Sequence, residues 1–190
     1  QYDALDIYAN TTEINPAQEK ALLDYVRSGH GFVPLHCASY CFLNSPAYIA
    51  MVGAQFQRHG GQEFVTRIAE PDHPIMKNYD GFRSWDETYI HTKHNPQGRL
   101  VLEYREQGDQ AEGQTSEPWT WVREEGKGRV FYTAWGHDER TWSQPGFQAL
   151  VERGIRWSCG QDLKDAPPFS NAELFQAPVM TELSKDVEPF

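Results

Sequence analysis

The sequence predicts an α/β fold built around parallel strands, on three observations. Residues 2–9 mix alternation with an apolar end, as a strand does. A helical pattern between Pro16 and Ser28 is followed at once by the glycine-bounded apolar run Gly31-Phe32-Val33-Pro34-Leu35-His36, and strand, helix and strand in ~35 residues make a parallel βαβ unit. A second short apolar run, 128–135, again leads into an amphipathic helix and reads as a strand covered on both faces.

Asn15 is a good N-cap, Pro16 suits the first helical position and Gln18 completes a capping-box-like pattern; Ala21, Leu22, Tyr25 and Val26 then recur at helical spacing up to Gly29. Ser45-Pro46 opens a short helix through Val52, closed by Gly53. Residues 55–61 read as a loop holding His59. Strand-like stretches follow at 63–69, 82–90, 99–106 and 119–123, separated by the turn-rich PDHP, NPQG and polar 107–118 segments. Pro145 opens the last helix, with Phe147, Leu150, Val151, Ile155 and Trp157 on its apolar side and Gly160 behind it. From Gln161 onward the sequence is polar, proline-bearing and aperiodic. It therefore reads as one domain over residues 1–160 and an extended tail or linker over 161–190.

A length of 190 residues suits one domain with a tail. The net charge of −10 argues against a general nucleic-acid binder, which needs cationic surface to displace phosphate counterions. No run of ~18 apolar residues exists, so no direct membrane span is expected. Neither GxGxxG nor GxxxxGK(S/T) occurs, so no nucleotide cofactor is expected. Cys37, Cys41 and Cys159 fit neither a disulfide framework nor a four-thiolate zinc site. Gln1 is not an initiator Met, and a leader or an earlier part of the fold is expected before it. The compartment stays open, with the periplasm or another exported setting preferred to the cytoplasm.

In open α/β sheets ligands collect beyond the carboxyl ends of the strands. That singles out His36, Cys37 and Ser39 after the first buried run, and His137, Asp138 and Glu139 after the second. The geometric expectation is that these two runs lie as adjacent parallel strands and deliver His36 and His137 to one hollow. Glu87, in Trp85-Asp86-Glu87-Thr88, and His59 complete an imidazole–carboxylate set. Such a set suits Zn²⁺, or non-haem Fe²⁺ and Mn²⁺, with a position left open for substrate, and His36, Glu87 and His137 are the candidate ligands. No spacing among them is a local metal motif, and a lone histidine at a strand end is more often a hydrogen-bonding packing residue. His91, four residues beyond Glu87, would share its strand face.

Cys37 reads in two ways. Between a strand end and a helix start its thiolate is favoured by backbone N–H groups, the helix dipole and a neighbouring imidazole; alternatively Cys37 and Cys41 are small buried fillers. Trp85, Tyr89, Trp119, Trp121, Trp135 and Trp142 also divide. They offer flat platforms for sugar faces, with Asp86, Glu87, Asp138 and Arg140 bonding hydroxyls, or they fill the core. Trp142, which follows the His137 loop, best suits the first role.

Tyr2-Asp3-Ala4-Leu5, Gly29-His30-Gly31-Phe32-Val33 with Pro34-Leu35-His36, Asp72-His73-Pro74-Ile75, Trp85-Asp86-Glu87-Thr88-Tyr89, the run from Gly128 through Gly136-His137, and Gly154-Ile155-Arg156-Trp157 together carry a resemblance. The chain resembles the ThuA-like family, the trehalose-utilisation domain related in fold to class I glutamine amidotransferases, over residues 2–160. The resemblance implies a three-layer αβα sandwich with a mostly parallel, flavodoxin-like sheet and a pocket at His36, Glu87 and His137. It also implies a link to carbohydrate metabolism, of trehalose or keto-disaccharides, with a small carbohydrate as ligand. Family members begin with an additional strand and helix before the segment matching Tyr2. The chain thus resembles ThuA-like domains within longer chains, some joined to dehydrogenase-like and haem-binding modules.

Many ThuA-like domains lack the amidotransferase nucleophile, yet Cys37 stands at the matching strand end, and His137 and Glu139 reproduce the His-x-Glu spacing of that triad. Leu35 and Ser39 replace the glycines that flank the nucleophile. Three functions follow as expectations. One is sugar binding or cleavage at the His/Glu pocket, supported by His59 and by a divalent metal. Another is a hydrolase or amidotransferase using Cys37, His137 and Glu139. The third is a non-catalytic binding module of a larger protein.

Overall fold

The structure, a computed structural model, describes residues 2–171 and Leu174. Its elements are β1 (Ala4–Ile7), α1 (Pro16–Arg27), β2 (Gly31–Pro34), a 3-10 turn (His36–Tyr40), α2 (Pro46–Val52), β3 (Gln55–Ile68), β4 (Arg83–Thr92), β5 (Arg99–Arg105), β6 (Glu117–Glu125), β7 (Gly128–Thr133), α3 (Glu139–Trp142) and α4 (Pro145–Ser158). The helix starts follow from their caps. Asn15 Oδ1 accepts the Gln18 N–H at 2.9 Å and Ser45 Oγ the Tyr48 N–H at 3.0 Å, each followed by proline at the position where a missing N–H costs nothing.

The strands form one seven-stranded sheet in the order β1-β2-β7-β6-β5-β3-β4. β1, β2 and β7 run parallel, while every other pairing is antiparallel. The sheet is therefore mixed, not mostly parallel as the resemblance implied. Connection length is the reason. Gly126 and Lys127 alone join β6 to β7, with Gly126 at φ +61°, and a two-residue link can only make a hairpin.

Residues 55–61 are strand, not loop. Their backbone groups pair with β4, Gly60 opposite Thr88 and Gly61 opposite Glu87, which makes up for their polar composition. Gly61 is required there, since a Cβ would lie 2.7 Å from the Trp85 ring.

Helices cover both faces of the parallel half, as alternation along β7 demonstrates. Arg129 lies over Trp157 and Phe131 presses on Gly154, both of α4. Gly128 meets the Val26 carbonyl of α1 and the Tyr132 hydroxyl reaches Ser39. Trp119, Trp121 and Trp135 are fully buried, Trp135 stacked on Phe64 at 4.3 Å, so these three fill the core. In the segment after Gly160, Leu163 is buried, Phe169 N–H donates to the Asn78 carbonyl at 2.9 Å, and buried Arg153 donates to the carbonyls of Ile75, Lys77 and Pro167. Residues 172, 173 and 175–190 of the expected tail lie outside the described residues. No described helix is long and apolar enough to cross a membrane.

Candidate functional site

β2 and β7 pair in parallel, Phe32 opposite Val130, and a bridge from Leu35 to Thr133 extends the pairing to their ends. Both then turn sharply. His36 has φ +46°, a left-handed conformation that costs a non-glycine residue about 1–3 kcal/mol, and Gly136 has φ +129°. At Gly136 a Cβ would meet the His36 Cβ and the Phe147 ring, each at 3.4 Å. The two turns bring the imidazoles of His36 and His137 to ring centroids 5.8 Å apart.

Glu87 joins them from β4. In sheet order this strand is at the far edge, but the β3–β4 ribbon folds back so that β4 packs on α3. The Glu87 carboxylate lies 3.3 Å from His36 Nε2, 3.2 Å from His137 Nδ1 and, through its other oxygen, 3.4 Å from His59 Nε2. Burial pushes the Glu87 carboxyl up, but the His36 contact and the His137 and His59 charges outweigh it and hold it below its ordinary value. Side-chain exposure rises from 2% at His36 through 14% at Glu87 to 39% at His137 and 43% at His59, so the cluster opens outward from a buried floor.

His36 Nδ1–H donates to the Ala134 carbonyl at 2.7 Å, which leaves Nε2 as the nitrogen that faces the hollow. That nitrogen is fully buried and has no aligned hydrogen-bond partner, although Glu87 is near. One donor atom each from His36, Glu87 and His137 lie within 4.8 Å of one another. An orphaned imidazole nitrogen beside a carboxylate and a second imidazole fits a divalent metal, and the Nδ1–carbonyl bond is the kind that orients a metal-binding histidine.

Asp86 is placed differently from Glu87. It is fully buried and accepts the Gly136 N–H at 2.8 Å, the Thr141 hydroxyl at 2.7 Å and the Glu87 N–H at 2.7 Å, with the His137 N–H at 3.3 Å. Burial pushes its carboxyl up, opposed by His36 and these donors. It secures the His137 turn and turns no oxygen to the hollow. Asp138 caps α3 and is gripped by Arg140, whose hydrogen bonds hold it down to about 2. The Arg140 guanidinium covers the Trp85 ring at 3.5 Å. Tyr89 stacks on His36 at 4.3 Å. Trp142 donates to the Gly136 carbonyl at 2.8 Å and packs edge-on against Tyr8 and Phe147, bracing the turn.

Among the described residues no hydrogen bond or ion pair joins Cys37, His137 and Glu139. Cys37 is half-buried, and burial first, then the Glu87 charge, push its thiol up. Glu139 is exposed in the first turn of α3, itself a helix the sequence reading did not find. Sequence reasoning also missed Thr141, Tyr8 and Tyr132. Tyr8 donates to the Gly136 carbonyl at 2.8 Å across 128 residues, and no local spacing marks such a contact.

Comparison with solved structures gives matches to two ThuA-like proteins. That of Parabacteroides merdae is 22% identical with a TM-score of 0.76, covering 87% of this chain and 74% of that one. That of Bacteroides uniformis is 22% identical with a TM-score of 0.70, covering 88% and 73%. A cold-adapted β-galactosidase from Rahnella sp. R3 is 17% identical with a TM-score of 0.57, covering 82% of this chain but 22% of its own. At these identities the likeness is one of fold. Comparison with curated proteins gives no match. The ThuA family profile, described as trehalose utilisation, matches residues 1–158, and the chain therefore belongs to the ThuA family.

Proposed function

We propose that this ThuA domain binds a small carbohydrate and acts on it in the hollow formed by His36, Glu87, His137 and His59. Family membership supports the carbohydrate-related role. The observation that carries the site is the meeting of His36 Nε2, the Glu87 carboxylate and His137 Nδ1 from three separated segments, with the buried His36 nitrogen left unpartnered. Those three residues would hold a divalent ion, which when bound supplies a polarised water or substrate oxygen. Glu87 keeps its negative charge toward the hollow, where it stabilises positive charge developing on a sugar ring. His59, at the open rim and outside the three ligands, can move a proton to or from a hydroxyl or glycosidic oxygen. Access comes from the rim, since His36 is closed in behind.

Elemental analysis of purified protein, with trehalose and keto-disaccharide binding by calorimetry for the wild type and His137→Ala, tests this. Stoichiometric metal and sugar heat lost in the variant support the proposal. No metal, no sugar binding and no difference between the two proteins would remove it.

A further inference from the structure

Behind the His36 ring lies a buried polar chain. The Tyr132 hydroxyl is 3.2 Å from the His36 carbonyl, 3.0 Å from Ser39 Oγ and 3.0 Å from His91 Nε2, and Ser39 Oγ donates to the same carbonyl at 3.1 Å. All four residues are at most 3% exposed. The donors can be counted. Ser39 gives its one proton to the His36 carbonyl. Tyr132 shares its one proton between Ser39 Oγ and the His36 carbonyl, and its oxygen accepts from His91 Nε2–H. Burial pushes the Tyr132 phenol up and the His91 imidazole far down, so the first keeps its proton and the second stays neutral.

The carbonyl this chain grips belongs to the one residue of the hollow held in a left-handed conformation. An ordinary backbone would redirect that carbonyl and swing the ring with it. The geometry points to Tyr132, backed by Ser39 and His91, as a positioning residue that pins the His36 turn and so aims Nε2 at Glu87 and His137. The Ala134 carbonyl fixes which nitrogen faces the hollow, and Tyr132 fixes where it points. This rests on the reading of His36 Nε2 as a working atom of the site.

The test removes one oxygen. Tyr132→Phe and Ser39→Ala are compared with the wild type by titration with Zn²⁺ alone and, without metal, by NMR of the His36 ring nitrogens and Nδ1 proton. The expected result for Tyr132→Phe is an unchanged circular dichroism spectrum, a Zn²⁺ affinity lower by about 10- to 100-fold, and a His36 Nδ1 proton that exchanges faster. A purely structural tyrosine would lower the melting temperature and leave both readouts alone. A folded Tyr132→Phe with wild-type affinity and unmoved His36 signals overturns the inference. If the wild type itself takes up no Zn²⁺, the metal reading fails and the His36 signals decide the positioning role by themselves. Should Tyr132→Phe not fold, Ser39→Ala decides by the same readouts.

Discussion

Asp86 accepts the backbone N–H of Gly136 at 2.8 Å, tying β4 to the turn that carries His137. The adjacent carboxylates Asp86 and Glu87 thereby divide two tasks between successive strand positions, one facing inward to build the turn and one facing the hollow.

Asp86→Asn should accordingly damage the site without touching ligand. An amide nitrogen would meet backbone N–H donors, so one donor loses its acceptor in a buried place. The expected cost is about 1–3 kcal/mol of stability by urea denaturation, with weaker sugar binding. Wild-type stability in the variant would refute the clamp.

Glu87→Gln removes the charge shared by three imidazoles while keeping the shape. Zn²⁺ titration should register an affinity loss of more than ~100-fold, whereas His59→Ala, at the exposed rim, should lose about 10-fold or less. Equal losses would mean that His59 belongs among the ligands.

Cys37 should be slow. Burial raises its pKa, so at neutral pH less of it is thiolate than in a free thiol. Iodoacetamide at pH 6 should leave it unlabelled over the time in which a low-pKa thiol reacts, and Cys37→Ser should keep sugar binding. Rapid labelling at that pH would instead favour the hydrolase role.

Glu103 gives a pH signature remote from the hollow. It is fully buried, accepts the Thr66 hydroxyl at 2.7 Å and also meets Thr120; burial raises its pKa above the ordinary 4.5 despite these hydrogen bonds. The unfolded chain therefore releases this proton as pH climbs past 4.5 while the folded chain retains it, so the wild type loses stability toward neutral pH. Glu103→Gln, which mimics the protonated acid, should match the wild type near pH 4 and become the more stable of the two as pH rises to 7 in urea denaturation. A difference that stays constant with pH would contradict this.

The sequence revealed whatever is encoded by neighbours. Asn15-Pro16 placed the first helix to within a residue of its end, and the glycine-bounded runs before His36 and His137 are the two adjacent parallel strands. What it concealed depends on distant partners. The strand character of residues 55–61 exists only through pairing with β4, and the mixed direction of the sheet follows from a two-residue link whose meaning depends on which strands it joins. Within the site, His36, Glu87, His59 and His137 were legible as residue types at strand ends. The inward turn of Asp86 and the reach of Tyr132 to the His36 carbonyl were not, because only the folded chain brings positions 96 residues apart into contact.

The folding back of the β3–β4 ribbon makes the hollow a seam between two structural halves. One half holds a pair of imidazoles and the other contributes the anion, so a molecule whose ribbon has peeled away would keep its parallel strands yet present only bases. Ligand that bridges the seam would then act as a stitch, and its first measurable effect would be slower amide exchange along β3 and β4.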